Sequence, residues 1–117
     1  MRFVFTKADR ILKRPEFLHL SQHGNKIYNK NFVAIYRLGR FERTRLGITV
    51  SRKVGGAAAR NKIKRFAREY FRLNKHLLAG CWDINITAKR AAVDLSFDQA
   101  FLSLKDIFDR ISRSLDY

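Results

Sequence analysis

One cysteine, one proline and ten acidic side chains among 117 residues exclude several kinds of protein at once. A lone Cys81 rules out a disulfide framework and a cysteine metal cluster, and it points to a reducing compartment, the cytoplasm. Next to Trp82 at a predicted strand start, it reads as a small buried hydrophobe. No apolar run approaches the length of a bilayer span, so no membrane role is expected. Met1–Phe5 is too short and too quickly charged for a signal peptide. The histidines, His19, His23 and His76, lack metal-ligand spacing; His19 and His23 stand i,i+4, but no third ligand is evident. Six of the ten acids follow Ala79, mostly at surface positions of the last helix, so paired carboxylates for a two-metal site are missing. Gly55-Gly56 lacks the Lys-Ser/Thr ending of a phosphate-binding loop and reads as a tight turn that lets a helix pack on a sheet. No catalytic set and no metal site are expected.

What the chain has in excess is positive charge. Its formal net charge is +15, and 46% of its residues are hydrophobic, including ten Phe, so it is a globular chain with one core and not a disordered basic tail. The charge is concentrated. Residues 37–75 hold thirteen basic and two acidic side chains, whereas residues 76–117 hold five and six. Such a field attracts nucleic acid or an anionic membrane, and the apolar stripe of the basic segment favours a folded RNA binder.

The segment Arg52–Arg72 carries the strongest signal. A strand ends near Arg52-Lys53, the two glycines follow, and a basic helix opens near Ala58. Ile63, Phe66, Ala67, Tyr70 and Leu77 form its apolar stripe. Arg60, Lys64, Arg68 and Arg72 fall four apart and make a row on another face, with Asn61 and Arg65 beside them. Like charges at this spacing weaken an isolated helix, so the row asks for an external anion. A merely solvated basic face usually carries acids at i±4; here Glu69 is the only acid. Arginine also outnumbers lysine, and its planar fork suits phosphate.

Elsewhere, Pro15-Glu16 reads as the start of a helix running to about Gln22, with Gly24 as a left-handed cap. Asn31–Leu38 reads as a strand, Gly39–Thr44 as a basic turn, and the next strand runs through Arg52. In it Leu46, Ile48 and Val50 oppose Gly47, Thr49 and Ser51. Trp82–Ala88 alternates likewise. The last helix starts at Ser96 with Gln99 placed for a capping box, and Ala100, Phe101, Leu104, Ile107, Phe108 and Ile111 form its core stripe. The expected architecture is α+β: a two-layer sandwich of one mostly antiparallel sheet with helices on one face and a β-α-β crossover around the basic helix. It is one RNA-binding domain over 1–117, with a basic arm at 1–14 and a folded core at 15–117. The small and polar sheet face, left without a helix, offers a groove for single-stranded nucleic acid.

Ser51-Arg52-Lys53-Val54-Gly55, then Ala59-Arg60-Asn61-Lys62-Ile63-Lys64-Arg65 and Arg68-Glu69, resembles the signature of the protein subunit of bacterial ribonuclease P. Leu12–Phe17, Gly24 and Phe32-Val33 extend the resemblance over nearly the whole chain; Gly56 departs from it, where the family often has a larger polar residue. The resemblance implies a left-handed crossover, against the usual right-handed rule. It also implies a ribonucleoprotein whose RNA subunit, with Mg²⁺, removes the 5′ leader of precursor tRNA, while the protein alone is inactive. Carried over by position, Arg60, Asn61, Lys64, Arg65 and Arg68 contact the RNA subunit, with Arg52 and Lys53 extending the surface and Arg72 continuing the row. Phe17 lines a leader cleft, with Ile35 and Tyr36 at its second aromatic position. The implied partners are the RNA subunit and precursor tRNA, with no protein partner. A ribosomal-type structural RNA-binding protein is the alternative, and a free-standing nuclease a third reading that the missing catalytic set disfavours.

Overall fold

A computed structural model describes residues 5–11, 13–39 and 42–115 of the chain. Met1–Val4, Leu12 and the middle of the basic turn, Arg40-Phe41, on which expectations were placed above, lie outside them. The elements run α1 (Arg14–His23), β1 (Asn25–Tyr28), β2 (Phe32–Leu38), β3 (Arg45–Thr49), α2 (Ala57–Asn74), β4 (Trp82–Ala88) and α3 (Phe97–Arg113), with short 3₁₀ turns between some of them. The four strands form one sheet in the order β1-β2-β4-β3. β1/β2 and β2/β4 are antiparallel, while β3 and β4 are parallel and joined through α2, the expected crossover.

Alternation along the strands decides the two faces. Phe32, Ala34 and Tyr36 of β2, Leu46 of β3, and Trp82, Ile84, Ile86 and Ala88 of β4 point one way and are buried. Against them pack Ile63, Ala67, Tyr70 and Phe71 of α2 and Leu104, Ile107, Phe108 and Ile111 of α3, in one continuous core. Tyr70 joins the two helices, stacked on Phe108 at 5.2 Å and edge-on to Phe101 at 5.2 Å. The Ser96 capping box closes as expected: Gln99 N donates to Ser96 Oγ at 3.2 Å, and Ser96 N donates to Gln99 Oε1 at 2.9 Å.

On the other face the register sets three rows across the sheet. They are Arg37–Asp83–Arg45, Lys26–Ile35–Asn85–Gly47 and Tyr28–Val33–Thr87–Thr49. This face is not bare, as the sequence suggested. α1 lies against it, its Leu20 buried beside Ile35. The first helix has one fully buried residue and carries too weak a stripe to announce which side it packs on.

Local differences have local causes. Gly24 is extended (φ −82°) and not left-handed, because the chain enters β1 at once. A side chain there is barred by proximity: a Cβ would sit 2.6 Å from Leu20 O and 2.7 Å from Ile35 Cγ2. β1 itself was not expected; Asn25-Lys26-Ile27-Tyr28 has only one apolar aliphatic and no clear alternation. β3 ends at Thr49, and the turn occupies Arg52–Val54, so Gly56 is the N-cap of α2 rather than part of a tight turn. Nothing lies within 4 Å of a Cβ at Gly56, so the larger residue usual in the family would fit. α2 ends at Asn74, which removes Leu77 from the stripe (it is 71% exposed) and puts Phe71 in it, 1% exposed. Cys81 is half-buried and precedes β4, so it is not a core residue.

The basic arm is docked over its described part. Ile11 N donates to Leu46 O at 3.1 Å, and Arg10 bridges Leu46 in parallel fashion, covering the free edge of β3. Asp9, 3% exposed, accepts from Thr6 N at 2.8 Å, Thr6 Oγ1 at 3.1 Å, Arg43 at 3.1 Å and Lys75 at 3.4 Å. Phe5 meets Phe71 edge-on at 5.6 Å.

Candidate nucleic-acid interface

The stripe of α2 points Ile63, Phe66, Ala67, Tyr70 and Phe71 inward, and the polar positions face outward or flank the stripe. Asn61, Arg65 and Arg68 are exposed, with Arg60 and Lys64 half-buried on the flank. Arg60 Nε is buried with no hydrogen-bond partner among the described residues. A buried unpaired guanidinium N–H is costly, and an external acceptor would relieve it. Lys62 and Arg65 lie 5.6 and 5.9 Å from the Phe66 ring, which holds their stems against the helix. Arg72 is different: Glu69 accepts from its Nε at 3.1 Å and from its Nη2. This hydrogen bond and the adjacent charge hold Glu69 below the usual carboxylate range, so the charge at the end of the row is locally compensated. Arg52 and Lys53 are exposed in the turn before α2, and Arg90 Nε donates to Lys53 O at 3.2 Å.

α1 is fastened to the sheet by Arg45, which is 8% exposed. Its Nη1 donates to Glu16 Oε2 at 2.7 Å, while Nε and Nη2 donate to the two Asp83 oxygens at 3.0 Å each. The Asp83 hydrogen bonds raise the Arg45 pKa further above its ordinary value, against the effect of burial, with Glu16 adding to the rise. Burial alone would raise Glu16, but the Arg45 hydrogen bond and charge outweigh it and leave it lowered. One helical turn away, Arg37 donates to His19 Nε2 at 2.7 Å. Neither Arg45 nor Asp9 stands out in the sequence, because the partners that fasten them to other elements (Glu16 and Asp83 for Arg45, Arg43 and Lys75 for Asp9) stand 29 to 66 residues away.

So held, α1 places the Phe17 ring over Gly47. A Cβ on Gly47 would lie 2.5 Å from Phe17 Cε1, so the approach depends on glycine. Phe17 is half-buried and lines a groove of about 150 Å³ with Phe5, Arg10, Ile11, Leu46, Gly47, Ile48 and Arg68. Phe17 and the α2 row therefore meet in one place through Arg68. Ile35 faces the same side but lies under the end of α1, against Leu20 and Gly24. Tyr36 does not belong to the cleft. It follows Ile35 by one residue, points to the opposite face, is 6% exposed and packs edge-on to Trp82 at 5.5 Å. A second basic hollow, which the sequence reading did not single out, adjoins the first: Lys7, Arg10, Lys13 and Arg43 surround Glu16 and Arg45.

Among the described residues no three His, Cys, Asp or Glu side chains come together to hold a metal ion, and no helix is long and apolar enough to cross a membrane.

Comparison with known proteins agrees with this arrangement. The family model described as Ribonuclease P matches residues 5–112. The ribonuclease P protein component of Desulfosudis oleivorans is 49% identical over 111 residues, covering 95% of this chain and 92% of the relative. The solved ribonuclease P protein of Staphylococcus aureus superposes with a TM-score of 0.83 at 35% identity, covering 89% of this chain and 95% of that one. The protein of Thermotoga maritima gives 0.81 at 33% identity, with 87% and 96% covered. With its basic crossover helix, its arm-covered sheet edge and a match over almost its full length, the chain belongs to the bacterial ribonuclease P protein family, the protein component of a ribonucleoprotein endoribonuclease that processes tRNA.

Proposed function

We propose that the chain grips the ribonuclease P RNA subunit with α2 and holds the 5′ leader of precursor tRNA in the groove around Phe17. It thereby assists endonucleolytic removal of the leader to give the mature 5′ end. The observation that carries this reading is that Phe17, lying over Gly47, and Arg68 line one groove. A ring can stack a base while a guanidinium beside it takes a phosphate, the combination used for single-stranded nucleic acid. The exposed Asn61, Arg65 and Arg68, with half-buried Arg60 and Lys64, supply the RNA-subunit contacts, and Arg52 and Lys53 extend them. Hydrolysis belongs to the RNA subunit with Mg²⁺, and the protein supplies positioning and charge neutralisation.

Reconstitution tests this. RNA-free protein is expected to leave precursor tRNA intact and to stimulate cleavage only with the RNA subunit and Mg²⁺ present. In the holoenzyme, Phe17→Ala is expected to weaken precursor tRNA while leaving mature tRNA nearly unchanged, with a loss in the range of one stacked base, about 1–3 kcal/mol. Equal loss for both tRNAs, or cleavage by the protein alone, would contradict the reading.

A further inference from the structure

The third row of the open sheet face ends in an aromatic that the Phe17 groove does not use. Tyr28, the last residue of β1, is 62% exposed. In register it stands beside Val33, then Thr87, then Thr49. Paired residues share a face, so Tyr28 looks out on the same side as Gly47 and Asn85, away from the core. The contacts of α1 described above fall on the other two rows: Arg37 and Arg45 in one, Ile35 and Gly47 in the other. In the third row Tyr28 and Thr49, at the two ends, are exposed, and Val33 and Thr87 between them are half-buried.

Tyr28 is also held in place. Lys89 brings Nζ to 4.7 Å from its ring centroid and donates to Asn29 O at 2.7 Å. Arg110 donates to the Tyr28 carbonyl at 3.0 Å. Lys26 lies two residues back on the same face, and both Lys26 and Lys30 are exposed. An exposed ring on a fixed strand end, with cations around it, offers a base a π-face and a backbone its countercharge. Val33, Thr87 and Thr49 between the edges carry no charge that would repel phosphate.

The geometry points to Tyr28 and Lys89 as a second stacking position for the precursor tRNA leader, on the sheet edge opposite Phe17. This rests on the leader reading of the Phe17 groove. The β1 edge lies three strand spacings from β3, about 14 Å, so only a leader extending some nucleotides beyond Phe17 reaches it. The occupant is single-stranded RNA because flat stacking and phosphate charge are what the site provides and deep apolar shape is what it lacks.

Holoenzyme affinity measured against precursor tRNAs of increasing leader length tests it. Wild-type affinity is expected to rise in two steps as the leader lengthens. Tyr28→Ala removes the second step only, a loss of about five-fold or more, with the melting temperature and mature tRNA binding unchanged. Tyr28→Phe, which keeps the ring, retains both steps. Absence of the first step in wild type would sink the Phe17 reading and this one with it. A first step that is present, with long-leader affinity indifferent to Tyr28→Ala, overturns this proposal alone. Equal loss for mature tRNA or for the RNA subunit also overturns it, since Tyr28 would then touch a different RNA.

Discussion

Helices α2 and α3 have 18 and 17 residues, lie on the same face of the sheet, and each buries five residues of an apolar stripe. Their outer faces treat charge in opposite ways. In α3 two of the three cations have an acid within the helix: Lys105 meets Asp109 at 2.6 Å and Arg110 meets Asp106 at 3.3 Å, both at i,i+4. In α2 only Glu69 is available, and it serves Arg72. Internal pairing is what a solvated face needs. Leaving Arg65 and Arg68 exposed on an arginine-rich helix, with Arg60 Nε unsatisfied, is a local fault in an isolated protein and an asset in one that docks on polyphosphate.

If both helices are held by their stripes, truncating either stripe destabilises the domain regardless of outer charge. Leu104→Ala in α3, from a position with 0% exposure, is expected to cost about 2–5 kcal/mol, and Phe66→Ala in α2 about 3–5 kcal/mol, by denaturant or thermal melts. Little change for Phe66→Ala would mean that its contact with Phe97 and its flanking cations matter less than its burial implies.

A second contrast separates the fastened carboxylates from the solvated ones. Asp9 is lowered although burial would raise it, because the hydrogen bonds from Thr6 and the charge of Lys75 outweigh burial; Glu16 is lowered by Arg45 in the same way. The folded chain therefore binds fewer protons than the unfolded chain once the pH falls into the ordinary carboxylate range, about 4. This stability is complete above that range and is lost as the pH drops through the folded values. The melting temperature is expected to fall steeply below about pH 4, and Asp9→Asn should flatten that fall. An acid profile unchanged by Asp9→Asn would mean that the arm's latch contributes nothing.

The smallest expected effect lies on α3. Lys105→Ala breaks an exposed i,i+4 pair and should change stability by about 0.5 kcal/mol or less, without altering RNA affinity. A larger effect on RNA would erase the distinction between the helices.

Much of this was legible in the chain. The stripe of α2, the capping box of α3 and the alternation of β3 and β4 follow from local periodicity, β2 from its run of β-formers, and the arginine row from its spacing. What was not legible is what depends on long-range partners. α1 has one fully buried residue and a weak stripe, so nothing local says which sheet face it takes. Arg45, Glu16 and Asp83 look like surface charges until the fold brings three elements together. Tyr36 and Ile35 are neighbours in sequence, and only the register shows that one is core and the other lies under α1. Tyr28 was hidden for a related reason, since β1 was not recognised as a strand.

If the outward face of α2, and not the similar helix beside it, binds the RNA subunit, the two helices separate when RNA-subunit affinity is measured as a function of salt for Arg65→Ala and Arg68→Ala beside Lys105→Ala and Arg110→Ala. Weaker binding is expected for each α2 variant, with a log–log salt slope shallower by about 0.7 to 0.9 per lost phosphate contact, folding intact and the α3 variants like wild type. Equal losses from both helices, or a salt slope untouched by the α2 changes, would contradict binding by α2.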